Sequence, residues 1–344
     1  MYFSLKKHIT AHVFPSAALL SLSLLMPLTA QACASCGCTL SSDWENLGFS
    51  SSSGFKIDVR YDYLNQNQLR TGAHSASPSA SAAANSDAEI EKYTRNNYLT
   101  VGLDYSANPN WGINVQLPFI NRNHTTLGTV SDGINPGMDA YHSSTSSIGD
   151  IKAIGRYQGF TEQHNFGLLL GLKLPTGSHT KTGISIDPDP DPAVAGTSAA
   201  IDRGLQPGTG TTDAIFGAYY LDSFNKDWGY FSQAIVQKPL NSSDGYKPGD
   251  SLNLNLGLRY QGFDDFTPQL QLNARLVEHD HSKNEVDYAT GTGGTLVYLS
   301  PGATLRINKQ IKVYGYVQVP IYQDVNDLQL TPRWTASLGA NYTF

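Results

Sequence analysis

The sequence is poor in charge. Asp, Glu, Lys and Arg make up 15% of its 344 residues, against roughly 25% in an ordinary soluble domain. It has only 3 Cys and 3 Met, too few for a disulfide-built scaffold or a Met-rich binding surface. Positive charge is scarce too: a formal net charge of -6 argues against a general nucleic-acid binder, which needs a basic surface. After residue 30 no apolar run reaches the roughly 18 residues of a membrane-spanning helix. What is abundant is Gly (32), Tyr (19) and Pro (17), the composition of a chain rich in turns and extended segments. Together these features leave chiefly an extracytoplasmic all-β protein.

The N-terminus reads as an address. Lys6 and Lys7 precede an apolar stretch from Ala17 to Leu28, and Ala30-Gln31-Ala32 has the small-x-small pattern of a cleavage site. A secretory signal peptide over residues 1–32 is expected, cut near Ala32. Residues 33–53 would then be a periplasmic Cys-rich segment, a plug or tail, and 54–344 the folded body.

From Gly54 onward one unit repeats: ten to thirteen residues of alternating apolar and polar side chains, then a turn. Alternation is the strand period, since successive side chains point to opposite faces. Trp334, Ala336, Leu338, Ala340, Tyr342 and Phe344 share one face; Thr335, Ser337, Asn341 and Thr343 share the other. Twelve such segments are read, at 54–64, 96–107, 110–122, 147–159, 165–175, 211–222, 227–239, 251–260, 266–278, 295–307, 311–321 and 333–344. Short connections (after 107, 159, 222, 260 and 307) alternate with long ones (65–95, 123–146, 176–210, 240–250, 279–294 and 322–332). This is the plan of an outer-membrane barrel, with tight periplasmic turns and longer external loops. The predicted fold is therefore all-β: a single twelve-stranded antiparallel transmembrane β-barrel with periplasmic N and C termini. Trp111, Trp228 and Trp334 start strands where interfacial aromatics would sit, and the terminal Phe344 resembles the sorting signal of outer-membrane proteins.

Several short motifs then carry a family likeness. Leu117-Pro118-Phe119, Ser147-Ile148-Gly149-Asp150, Leu172-Lys173-Leu174-Pro175-Thr176-Gly177, Leu205-Gln206-Pro207-Gly208-Thr209-Gly210 and Val319-Pro320-Ile321-Tyr322 occur in an order that resembles the outer-membrane barrels of the MetA pathway of phenol degradation. The resemblance covers most of 96–344 and implies an outer-membrane channel or transporter without catalytic residues. The Cys-rich segment lies outside it.

If the apolar parity faces lipid, the opposite parity lines a pore. That set contains Lys56, Asp58, Arg60, Asp62, Asp104, Asp150, Lys152, Arg156, Lys173, Arg259, Arg275, Arg306, Lys312 and Arg333. Charge facing lipid at mid-membrane costs up to several kcal/mol, so these side chains must meet water or one another. Basic residues outnumber acidic ones in the set, and such a lumen would favour anions. The alternative is that the charges pair into a ladder that seals a narrow barrel.

Other chemistry is sparser. Cys33, Cys36 and Cys38 are an odd number in an oxidising compartment. They would form one disulfide with a thiol left over, bind copper or zinc, exchange electrons with a periplasmic partner, or carry lipid. His279 and His281 flank Asp280 at an external strand end and would chelate a divalent ion or simply be hydrated. Pro207-Gly208-Thr209-Gly210 lacks the following Lys of a phosphate loop and enters a strand. The His residues lie in loops, turns or strand ends, not beside a Ser in the wall, so a hydrolase triad is not expected. The function read from sequence is passive passage of small solutes, anionic or aromatic, with outer-membrane lipids as surroundings. The competing reading is a metal-binding or redox-partner protein acting through its cysteines.

Overall fold

The computed structural model describes residues 53–77, 90–127, 140–184, 198–283 and 289–344. Cys33, Cys36 and Cys38 and the signal segment fall outside these ranges.

The chain forms strands β1 (Gly54–Gly72), β2 (His74–Ser75), β3 (Ile90–Asn108), β4 (Trp111–Leu127), β5 (Ala140–Ile148), β6 (Ile151–Tyr157), β7 (Phe166–Leu174), β8 (Thr182–Ile184), β9 (Ser198–Ala200), β10 (Asp213–Ser223), β11 (Trp228–Pro239), β12 (Ser251–Tyr260), β13 (Phe266–Val277), β14 (Gly294–Arg306) and β15 (Ile311–Thr343). Eleven of them pair in the order β1-β3-β4-β6-β7-β10-β11-β12-β13-β14-β15, and β15 pairs back onto β1. The eleven strands thus close into an antiparallel barrel; β2 and β5 add to β1 and β4 at its rim, and β8 pairs with β9 outside it. No helix among the described residues is long and apolar enough to cross a membrane.

Parity is inverted relative to a water-soluble protein. Val59, Tyr61, Leu99, Val101 and Leu103 are exposed, whereas Asp58, Asp62, Thr100 and Asp104 between them are buried. The exposed apolar face continues round the wall through Leu170, Leu256, Leu272, Val319 and Leu338. At one rim it ends in an aromatic girdle. Phe55 meets Tyr105 at 4.6 Å, Trp111 meets Tyr157 at 4.5 Å, Trp228 meets Tyr260 at 5.1 Å and Tyr342 meets Phe344 at 4.9 Å. On β1 the opposite limit is Tyr63, whose ring lies 5.5 Å from that of Trp334. Eight residues separate Phe55 from Tyr63, about 26 Å along a strand and about 20 Å along the axis at a tilt of roughly 40°. That is close to the apolar height of an outer-membrane barrel.

The tight turns at the girdled rim share one device. The side-chain oxygen of Asn108 accepts from the amides of Asn110 and Trp111, that of Asn225 from Asp227 and Trp228, and that of Asn308 from Gln310 and Ile311. An Asn at the first turn position thus supplies the acceptor that would otherwise have to come from backbone.

The opposite rim departs from the sequence reading. Residues 322–332, expected as a long loop, are strand, and β1, β3, β4 and β5 also run well into the expected loops. Beyond the apolar belt, outward residues are polar, so the apolar–polar alternation disappears while the ladder of hydrogen bonds continues. β15 reverses within its own length. Asp327 takes φ +56°, Thr335 donates to Gln318 and Gln323 donates to the Pro332 carbonyl. Its first arm pairs with β14 and its second with β1.

Candidate functional site: the barrel interior

The sequence motifs at 147–150, 172–177 and 205–210 converge on one buried cluster. Asp150 lies in the break between β5 and β6, both of which pair with β4. Its Oδ1 accepts from the Gly177 amide at 3.0 Å, and its Oδ2 from the Thr209 amide at 3.0 Å and hydroxyl at 2.9 Å. Lys173 on β7 lies 3.2 Å from Asp150 Oδ2 and 2.9 Å from Asp213 Oδ2, with side chains 5%, 7% and 1% exposed. Its ammonium also donates to Thr209, while the Thr211 hydroxyl donates to Asp213 at 2.7 Å. The glycines make this convergence possible: a Cβ on Gly208 would collide with the backbone of Gly177, and one on Gly177 with Gly149.

Through this cluster the segment from Ile201 to Gly210 is held against the inner wall. The Arg122 guanidinium donates to the Gly204 carbonyl at 3.0 Å. Ile201 and Leu205 pack with Leu69, Leu328 and Leu330. Arg203 donates to the carbonyls of His179, Thr209 and Ser243, and its guanidinium lies 5.1 Å from the Tyr246 ring centre.

Beneath this segment is a cavity of about 320 Å³. Arg60, Arg122, Lys152, Lys173, Arg203 and Arg275 line it, with Asp62, Asp150, Asp213 and Asp280. Elsewhere inside, the lumen is filled by a buried polar network. The Tyr314 hydroxyl donates to Asp58, the Tyr316 hydroxyl donates to Gln269, and Asn273 accepts from Ser300 while donating to Asn255.

Each predicted pore residue can now be placed. Asp58, Arg60, Asp62, Asp104, Arg156 and Lys173 are buried; Lys56, Lys152, Arg259 and Arg275 are half-buried. Several of these charges pair, as the sealed-ladder reading expects: Arg60 with Asp62 at 2.8 Å and Arg156 with Asp104 at 3.2 Å. Three placements are corrected. Arg306 keeps the inward parity but lies at the short-turn rim, half-exposed and 2.9 Å from Asp265. Lys312 is exposed at the same rim. Arg333 is exposed because β1 and β15 slip register between Leu64↔Thr335 and Gln66↔Pro332, so the bulge turns it out of the inner row. His279 and His281 are exposed, with ring centres 4.8 Å apart. Among the described residues they join no group of three metal-ligating side chains.

Five contributors to the cavity escaped the sequence reading: Arg122, Arg203, Asp213, Tyr246 and Asp280. Arg122 shares the parity of Asn114 and Gln116 on β4 and was detectable on that ground. The inner apolar patch was not. Ile154, Leu169, Ile215 and Ile235 are buried on β6, β7, β10 and β11, packed about Gly171 and Gly217, where a Cβ would meet Ile154 and Ile235. Strict alternation assigns apolar side chains to lipid and cannot foresee such a patch.

No family model matches the sequence, and no curated protein does. Solved structures do show likeness. An outer membrane channel from Pseudomonas putida F1 aligns over 86% of this chain and 97% of its own, at 13% identity and a TM-score of 0.61. The chain shares that channel's fold. The beta domain of the Bordetella autotransporter BrkA (13% identity; 85% of this chain, 100% of that one) and a mutant of the monoaromatic hydrocarbon channel TodX (12% identity; 87% and 92%) are weaker likenesses, with TM-scores of 0.47 and 0.46. The family resemblance drawn from the short motifs therefore stands in its coarse form, an outer-membrane type of barrel, and the phenol-degradation assignment gains nothing from these likenesses.

One acid at the cavity edge has an unusual environment. Asp280 lies in the connection after β13; burial pushes its carboxyl above the ordinary range, opposed by hydrogen bonds from the Tyr246 hydroxyl at 2.6 Å and the Gly249 amide at 2.8 Å. A carboxyl raised on folding contributes stability below its unfolded value, about 4, and loses that contribution as pH rises through the folded value. Asp280→Asn keeps a partner for both groups and removes the ionisation. Thermal unfolding in detergent should therefore show wild type losing stability relative to D280N as pH rises from about 4 toward neutrality. Parallel curves across that range would contradict the assignment.

Proposed function

We propose that the protein is an outer-membrane channel that passes small solutes passively and favours anions. The observation that carries this reading is the inverted parity of the closed cylinder: apolar and aromatic side chains outside, charges, amides and hydroxyls inside. We count the two arms of β15 as separate strands, which makes twelve, and take the girdled, short-turn side, where the Phe344 amide donates to the Phe55 carbonyl, as periplasmic. Of the ten charged residues around the cavity, six are basic; Arg60 pairs with Asp62, Lys173 with Asp150 and Asp213, and Arg203 with Asp244, while Arg122 and Arg275 have no carboxylate in ion-pair distance among the described residues. The potential there is accordingly positive although the whole chain is acidic. Proteoliposomes carrying a chloride-sensitive dye should quench faster than protein-free vesicles, and faster than they pass potassium. A protein-loaded membrane as tight as bare lipid would contradict the channel.

A further inference from the structure

The cavity is amphipathic. Ile154 on β6, Ile215 on β10 and Ile235 on β11 give it an apolar patch. Positive charge that the barrel does not cancel flanks the patch, Arg122 on β4 to one side and Arg275 on β13 to the other. Among the described residues the Arg122 guanidinium is held by neutral acceptors, the Asn96 side chain, the Tyr98 hydroxyl and the Gly204 carbonyl. Arg275, on β13, lines the same cavity with its Nε buried and without a hydrogen-bond partner. Among the described residues neither arginine has a carboxylate within ion-pair distance. A buried donor left unsatisfied costs free energy, and a guanidinium is shaped to receive a carboxylate in two parallel bonds. At about 320 Å³ the space lies at the small end of ligand cavities, which run from roughly 300 to 1,000 Å³.

We propose that this cavity is a saturable binding site for a small amphipathic monocarboxylate, its carboxylate on Arg275 and Arg122 and its apolar body against Ile154, Ile215 and Ile235. The proposal deepens the channel reading and rests on it only for the route by which the ligand arrives. An inorganic anion would satisfy the arginines but leave the isoleucines facing water; a neutral apolar solute would do the reverse. Both halves of the site are therefore needed.

Titration calorimetry of the full chain in detergent, with benzoate as probe, tests this. Benzoate should bind saturably, about tenfold or more tighter than benzyl alcohol or inorganic phosphate, and benzylammonium should not compete. Arg275→Gln should weaken benzoate about tenfold while leaving benzyl alcohol unchanged; Ile215→Ala should weaken both organic probes but not phosphate. Each variant is compared after circular dichroism shows wild-type strand content. Equal binding of benzyl alcohol, equal binding of phosphate, or an R275Q variant that binds benzoate as wild type does would each overturn the site. The two readings fail separately. A conducting barrel that does not bind benzoate loses the site and keeps the channel; a silent barrel that binds it loses the channel and keeps the site.

Discussion

Gly208→Val should raise the single-channel conductance several-fold. The valine side chain has no room: its Cβ would fall within the backbone of Gly177, and backbone cannot rotate aside as a side chain can. Relief requires the segment from Ile201 to Gly210 to leave the inner wall. Its departure gives up the Thr209 bonds to Asp150 and the Arg122 bond to Gly204, and uncovers the cavity. The barrel wall itself does not depend on these contacts, because its strands are held by continuous antiparallel pairing. A loop on a rigid scaffold is where such a change is tolerated. Replacing 203–210 by a Gly-Ser linker should give the same increase without any collision. Unchanged conductance in both variants would show that the segment does not restrict the lumen.

The second large effect is on stability. Lys173→Met should lower the free energy of unfolding by about 3–5 kcal/mol, the usual cost of removing one partner from a buried ion pair. The lysine serves two carboxylates, Asp150 and Asp213, each less than a tenth exposed. Without it both are left charged and poorly solvated. Asp150 also anchors the Gly177 and Thr209 amides, so the damage spreads to the inward segment. Denaturant unfolding of the barrel in lipid or detergent reads the loss as a lower midpoint. The triple variant K173M/D150N/D213N removes the stranded charges and should recover a large part of it. A K173M midpoint equal to wild type would mean that this cluster is solvated and contributes little.

The legible part of this molecule was the wall with an apolar outer face. Leu252, Leu254, Leu256 and Leu258 alternate with Asn253, Asn255 and Arg259 because lipid demands one face and the lumen the other, and the paired strands follow that pattern. Where lipid stops, so does the signal. Gln323, Asp324, Asn326, Asp327 and Gln329 read as loop, yet they complete a hairpin, since backbone pairing continues in water without any apolar code. Arg333 was misplaced for a related reason. A bulge shifts parity by one residue, and the sequence around Trp334 carries no mark of it. The cavity was half visible: its charges could be read from strand parity, but the inward fold of Ile201 to Gly210 depends on contacts between Gly149, Gly177 and Gly208, residues far apart in the chain. The short motifs drew notice one by one, and only folding shows that they meet.

The most direct test is the reversal potential of the purified protein in a planar bilayer separating unequal potassium chloride solutions. Net positive charge inside the cylinder predicts a potential of the sign set by chloride, shrinking toward zero as salt rises and screens the wall. A potential of the sign set by potassium would contradict the account.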